Sequence, residues 1–297
     1  MSGVGKHIAP YLVFSLLGLG IYGVHISRLI SFDSDLYSHI PMIFLVTAFL
    51  IFNDRREIFR YLNYSLLPGS FVSILGIAVY GYALANQSGF SQNDYASLLA
   101  LGLAVYLVGG FLCFLGFEAL KKAAFPLFML VFTIPIPDLL LKKITLFLQN
   151  ESFAVSAWIL DRLGLFPIRE GFILTLPDIK IEVAEQCSGI RSTLVLFILS
   201  VLSGYYCLGT YAARAVLVVF SIFWAPLKNG LRIATLTVLS IYWDKRIMQG
   251  PLHTSGGIPF FLLSMVFLLL AILVLYKLEK VSMKYLGSKQ KRINADS

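Results

Sequence analysis

The run ASLLALGLAVYLVGGFLCFLGFEAL, residues 96–120, holds one charged side chain, Glu118, and is long enough to cross a bilayer as a helix. A hydrocarbon core about 30 Å thick asks for about 20 apolar residues, each rising about 1.5 Å. Similar runs recur at residues 9–26, 38–52, 66–85, 123–136, 189–208, 212–227 and 258–276. The reading is therefore an all-α polytopic membrane protein with about eight transmembrane helices. Composition agrees: the 297 residues are 58% hydrophobic and 13% charged, where a soluble domain is about 25% charged. The first run follows Lys6 but is long for a signal peptide, and ISRLISF after it offers no small-residue cleavage site. It reads as a retained span.

The net charge of +8 does not argue for nucleic acid, because the cations gather in short segments between apolar runs. Those segments set the orientation. Arg55, Arg56 and Arg60 mark the second connection, Lys121 and Lys122 the fourth, and Arg214 the turn after the sixth span. The end of the chain carries Lys277, Lys280, Lys284, Lys289, Lys291 and Arg292. Positive-inside then places both termini in the cytoplasm and the odd connections outside. Residues 231–243 would break this scheme as a further span. A helix of that length reaches only about 20 Å, so the segment reads as an interfacial or re-entrant helix.

Two regions fall on the outer face, residues 135–188 and 228–257. The first opens on PIPD, whose prolines end the fifth span. Mixed polar and apolar spacing through DLLLKKITLFLQNESFAVSAWILDRLGLF predicts an amphipathic helix in the headgroup layer. GFILTLPDIKIEVAEQC then predicts a small β-hairpin around Pro-Asp. The chain divides as residues 1–122, an N-terminal four-span region; 123–277, a catalytic membrane core; and 278–297, a basic cytoplasmic tail.

Chemistry concentrates near EQCSGIRS, residues 185–192. Cys113 lies mid-span and Cys207 near the cytoplasmic end of the sixth span; both read as small buried apolar side chains. Neither can come within the about 7 Å Cα separation that a disulfide to Cys187 needs. Cys187 stands at the N-cap of the sixth span, where unpaired backbone N–H groups and the positive dipole end would stabilise a thiolate or an oxyanion. Ser188 alone reads as a cap residue, and Arg191 as a side chain snorkelling to the interface. Arg232, in KNGLRIATL, sits between apolar segments, where a cation marks a function or snorkels to headgroups. Asn229 and Gly230 read as turn formers. His253 sits in GPLHTSGG, whose glycines let a ligand approach the backbone, though a lone loop histidine is also ordinarily just solvated. His7 is cytoplasmic, and His25 and His39 compete with His253 for an outer-face role. Together Cys187, Arg232 and His253 supply a thiol, a permanent cation and a titrating base.

Glu-Gln-Cys-Ser-Gly-Ile-Arg, then Asn-Gly-Leu-Arg-Ile, then a histidine followed by glycines, in this order within a multi-span protein, resembles the exosortase/archaeosortase family. The resemblance covers residues 125–261 and includes FPLFMLVFTIPIP and the glycine-led hairpin. It implies a cysteine transpeptidase at the outer face of a prokaryotic cytoplasmic membrane. Its substrates would be secreted proteins with a C-terminal sorting signal: a short motif, an apolar span and a basic cluster. By resemblance Cys187 forms the acyl-thioester, Arg232 donates a proton and His253 stabilises the transition state, with Ser188, Gly189, Arg191 and Asn229 in support. Physical chemistry favours a different division. Arginine, with a pKa above about 12, suits charge stabilisation, and histidine, near 6.5, suits acid/base work. The resemblance implies no cofactor or metal, and membrane lipids and an amine acceptor of unknown identity as partners. The rivals are a transporter that binds an anion through Arg232 and His253, and a non-catalytic component of polysaccharide export. A transporter of this kind predicts repeated halves, which the sequence does not show, and leaves Cys187 without a role.

Overall fold

A computed structural model of the chain describes residues 2–30, 36–176, 179–182, 188–244 and 257–293. Two compact units divide it, Met1–Leu141 and Lys142–Ser297. The first contains α1 (Ser2–Ile30), α2 (Ile40–Asn53), α3 (Arg55–Ile58), α4 (Leu66–Ala85), α5 (Gln92–Leu115), α6 (Phe117–Lys122) and α7 (Ala124–Phe128), which runs into a 3₁₀ turn at Met129–Thr133. Helix α5 is the centre of this unit, packed against α4 and α1 and buried along most of its length. Small residues bring it close to α4. A Cβ at Gly69 would sit 2.4 Å from the Cys113 backbone, and one at Gly109 would sit 2.4 Å from the backbone nitrogen of Ser73. Phe111 is fully enclosed beside this seam, and the Tyr106 hydroxyl donates to the Phe14 carbonyl at 3.1 Å.

The head of α5 holds the proline segment in place. The Asn93 amide donates to the Ile136 carbonyl at 2.6 Å, and the Ser97 hydroxyl to that of Pro135 at 2.8 Å. The Asp138 N–H donates to the Asp94 carboxylate at 2.8 Å, satisfying one of the orphan donors where the next helix begins. That helix, α8 (Asp138–Arg162), runs into the second unit.

The second unit continues with β1 (Ile168–Glu170), β2 (Ile173–Leu176), β3 (Ile179–Glu182), α9 (Ile190–Cys207), α10 (Tyr211–Tyr242) and α11 (Gly257–Ile293). The strands form one antiparallel sheet in the order β1-β2-β3, with Leu174 opposite Ile181. Leu174, Leu176 and Ile181 turn inward and pack with Ala157 and Leu160 of α8 and Ala234 of α10. The α9–α10 turn is pinned from α11: Glu279 accepts from the N–H groups of Gly209 at 3.1 Å and Thr210 at 2.7 Å.

The polytopic α-helical expectation holds, with corrections to its parts. Among the described residues 6 helices are long and apolar enough to cross a membrane, or up to 7 if the pair Ala124–Thr133 and Asp138–Arg162 is one broken span. The expected second span is α2, whose 14 residues reach about 21 Å, short of the hydrocarbon core. The expected fifth is a helix of 5 residues followed by a 3₁₀ turn of 5, too short to cross alone. Residues 231–243 are not a separate helix. Residues 231–242 are the last part of α10, with Trp243 as its C-cap, and α10 runs 32 residues without a break, about 48 Å. Asn229 and Gly230 therefore do not make a turn. The helix passes through them because Gly230 faces Val155 of α8, where an added Cβ would lie 2.5 Å from a valine methyl carbon. The predicted hairpin is present as β2 and β3, its Pro177–Asp178 turn lying outside the described residues. The sequence reading missed β1, joined to β2 by a two-residue turn whose first residue is Gly171, φ +60.

Candidate functional site

Cys187 and His253 lie outside the described residues. Their setting is read from the residues around them. Helix α9 starts at Ile190 with Gly189 as its N-cap, so Cys187 stands two positions ahead of the cap rather than on it. Gly189 is left-handed at φ +76, and a Cβ there would meet the Asn229 side chain at 3.1 Å. Both the conformation and the space call for glycine. Among the described residues no side chain caps the helix, whose first amides lack intrahelical partners as at any helix N-terminus. Ser188 is buried, and its hydroxyl has no hydrogen-bond partner among the described residues. Arg191 points outward and is exposed.

The first turn of α9 packs on the middle of α10. Asn229, 1% exposed, lies against Gly189. One residue earlier the Lys228 ammonium donates to the Ser192 hydroxyl at 2.5 Å, and Ser192 donates in turn to the Gly189 carbonyl at 3.0 Å. Lys228 is 4% exposed, and among the described residues no carboxylate pairs with it. Arg232, half-buried, follows four residues later on the same helical face. Helix α8 closes the far side, with Ser152 fully buried and its carbonyl 2.9 Å from where a Gly230 Cβ would be.

An ammonium taken out of water without a counter-charge costs on the order of several kcal/mol. Such a group persists where it meets an anion during function. Lys228 is the residue the sequence reading passed over. Its signal was present in the spacing, a second cation four positions before Arg232 inside an otherwise apolar run.

Each of the other expected residues has its own setting within its unit. Cys113 is buried in the α4–α5 seam, with its backbone against Gly69. Cys207 is exposed and ends α9, about 26 Å along the helix from its start. His39 belongs to the first unit, where its ring nitrogens face the carbonyls of Leu36 and Phe132, both at 3.2 Å. His7 lies against Tyr64, with ring centroids 4.2 Å apart. The side chain of His25 lies outside the described residues. Among the described residues no group of three His, Cys, Asp or Glu side chains could hold a metal.

The model of the transmembrane exosortase family matches residues 30–270, most of the chain. The chain belongs to that family. The matched stretch takes in α9, α10 and the start of α11, hence the whole cluster around Lys228 and Arg232. The same search among curated proteins and among solved structures finds no match. Exosortase membership supports a membrane transpeptidase role and a multi-pass placement in the membrane.

Proposed function

We propose that this exosortase is a cysteine transpeptidase. It cleaves the C-terminal sorting signal of secreted proteins through an acyl-thioester on Cys187. The supporting observation is the pair of cations, buried Lys228 and half-buried Arg232, on the stretch of α10 that packs against the first turn of α9. That turn begins three residues after Cys187 in the sequence. A thiolate and a tetrahedral oxyanion are both anions, and cations and the N–H groups of a helix N-terminus favour both.

In the proposed reaction His253 takes the thiol proton and the Cys187 sulfur attacks the scissile carbonyl, forming the S–C bond and an oxyanion. Collapse of this intermediate breaks the C–N bond. The leaving amine takes the proton back from His253, which releases the substrate's apolar C-terminal span. An acceptor amine, on a lipid or glycan carrier, then attacks the thioester and gives up its proton to His253. The S–C bond breaks, the leaving Cys187 sulfur takes that proton from His253, and the enzyme returns to its starting state. Arg232 holds charge in this scheme rather than moving protons, because its pKa, above about 12, makes it a poor acid. The site works at the outer face of a prokaryotic cytoplasmic membrane, with both termini in the cytoplasm.

Substitution Cys187→Ala tests the reading. Processing of a tagged substrate is expected to stop while the protein reaches normal abundance in the membrane; full processing by the alanine variant refutes it. The roles of the other two residues separate by pH. With His253→Ala the acylation rate is expected to fall and lose its dependence on a group near pH 6.5, whereas Arg232→Lys lowers the rate and keeps the profile.

A further inference from the structure

We propose that a hollow between α3 and α6 binds the headgroup of a membrane phospholipid that carries a primary amine. Its phosphodiester lies between Arg60 and Lys122, and its ammonium meets Glu57 and Glu118. The site belongs to the first unit and rests on no reading of Cys187, Arg232 or His253.

Its position is set by two spans. Helix α4 starts at Leu66 and α5 ends at Leu115, and both are long and apolar enough to cross a membrane. The segments beyond those ends are tied together. The Asn63 N–H donates to the Leu115 carbonyl at 3.4 Å, and the Ser65 N–H to that of Cys113 at 3.0 Å. Gly116, left-handed at φ +88, passes so close to Asn63 that an added Cβ would sit 2.3 Å from its carbonyl oxygen. Helices α3 and α6 therefore pack on each other just past the ends of the spans, where headgroups meet water.

Glu57, Ile58, Arg60, Tyr61, Glu118 and Lys122 line an open hollow of about 330 Å³. That is the small end of the range for ligand sites, which begins at about 300 Å³. Ile58, 1% exposed, gives it an apolar floor, and the four charged side chains are exposed. Two cations and two carboxylates thus face one space. Among the described residues neither Arg60 nor Lys122 makes an ion pair with either carboxylate, and Glu118 pairs instead with Lys121 at 3.0 Å. A phosphoethanolamine group carries both signs on one short chain and fits charges set apart in this way. A purely anionic headgroup meets repulsion from the carboxylates, and a simple cation meets it from Arg60 and Lys122. The lipid, rather than a soluble phosphodiester, is favoured by the rim. Tyr61 and Phe117 are exposed there, with the Arg60 guanidinium 5.3 Å from the Tyr61 ring centre and the Lys121 ammonium 4.9 Å from that of Phe117. Aromatic rings beside cations suit the boundary between acyl chains and water.

The test titrates the full chain, purified in detergent, with phosphatidylethanolamine, phosphatidylcholine or phosphatidylglycerol of the same acyl chains, and counts bound lipids by native mass spectrometry. Phosphatidylethanolamine is expected to fill one saturable site about fivefold more tightly than phosphatidylcholine, whose methylated ammonium has no N–H to donate. It is expected to bind more tightly than phosphatidylglycerol too. One basic side chain at a phospholipid surface contributes about fivefold in affinity, so Arg60→Gln with Lys122→Gln is expected to weaken the site about 25-fold. Arg55→Gln with Arg56→Gln removes the same charge from exposed neighbours outside the hollow, and is expected to weaken it less than about threefold. Glu57→Gln leaves both cations in place and is expected to reduce the preference over phosphatidylcholine; it reads the site independently if the double variant fails to accumulate. Equal losses in the two double variants, or no preference among the three lipids, overturn the proposal. Displacement of the lipid by glycerophosphoethanolamine at equal concentration also overturns it, because the ligand is then a soluble phosphodiester.

Discussion

Two buried helix seams of this protein, α4–α5 and α9–α10, are made from different materials. Between α4 and α5 the contact is glycine against backbone, with Gly69 on Cys113 and Gly109 on Ser73. Some polar groups buried near α5 donate to nearby carbonyls, as Tyr106 does to Phe14 and Ser97 to Pro135, while the buried Ser73 hydroxyl has no partner among the described residues. Between α9 and α10 the contact is Gly189 on Asn229 and Ser192 on Lys228, a buried cation with a neutral hydroxyl as its partner. The first arrangement is uncharged. The second buries a cation that no carboxylate pairs with among the described residues, and an ionisable group in an apolar setting marks a functional site. What separates a packing seam from a site is thus the charge it holds, since both are tight and both rely on glycine.

Breaking the second seam should cost activity, and breaking the first should cost stability. The largest effect is expected at Arg232. With Arg232→Ala, turnover of a peptide substrate should fall about 1000-fold, the order seen when a transition-state charge partner is removed, with membrane abundance unchanged. Next is Gly69→Leu, which drives a side chain into the α5 backbone. Unfolding in detergent should be easier by about 3 kcal/mol, while the surviving protein keeps its specific activity. Gly189→Ala sharpens the contrast, because it strains a left-handed residue by about 1–2 kcal/mol and presses on Asn229. A mild loss of stability should come with a clear loss of turnover, measured on the same preparation. At the small end, Cys207→Ala, on an exposed residue at the far end of α9, should change either quantity by less than about 0.5 kcal/mol.

Much of the fold was legible in the sequence because apolar run length and proline placement act locally. Residues 66–85 were marked as a span and are α4, Leu66–Ala85. The prolines of PIPD interrupt the helix where their missing N–H groups require it. The β2–β3 pairing followed from two β-branched runs. What was not legible depended on partners distant in sequence. Asn-Gly ordinarily ends helices, and only the nearby Val155 and Gly189 show why α10 needs a small residue and an amide mid-helix. Lys228 looked like a loop cation while that break was assumed. Once α10 is continuous the same lysine lies in a helix interior, four positions from Arg232, and its meaning changes. Arg232 was singled out as unusual and Asn229 was read as a turn former, and their shared helical face was hidden by the same false break.

The most direct measurement is the intact mass of the full-length enzyme, with a peptide map, after brief exposure to a tagged sorting-signal substrate. The account predicts one acyl adduct, located on Cys187, removed by hydroxylamine and absent from Cys187→Ala. Processing that proceeds with no adduct, or with an adduct on Cys113 or Cys207 instead, contradicts it.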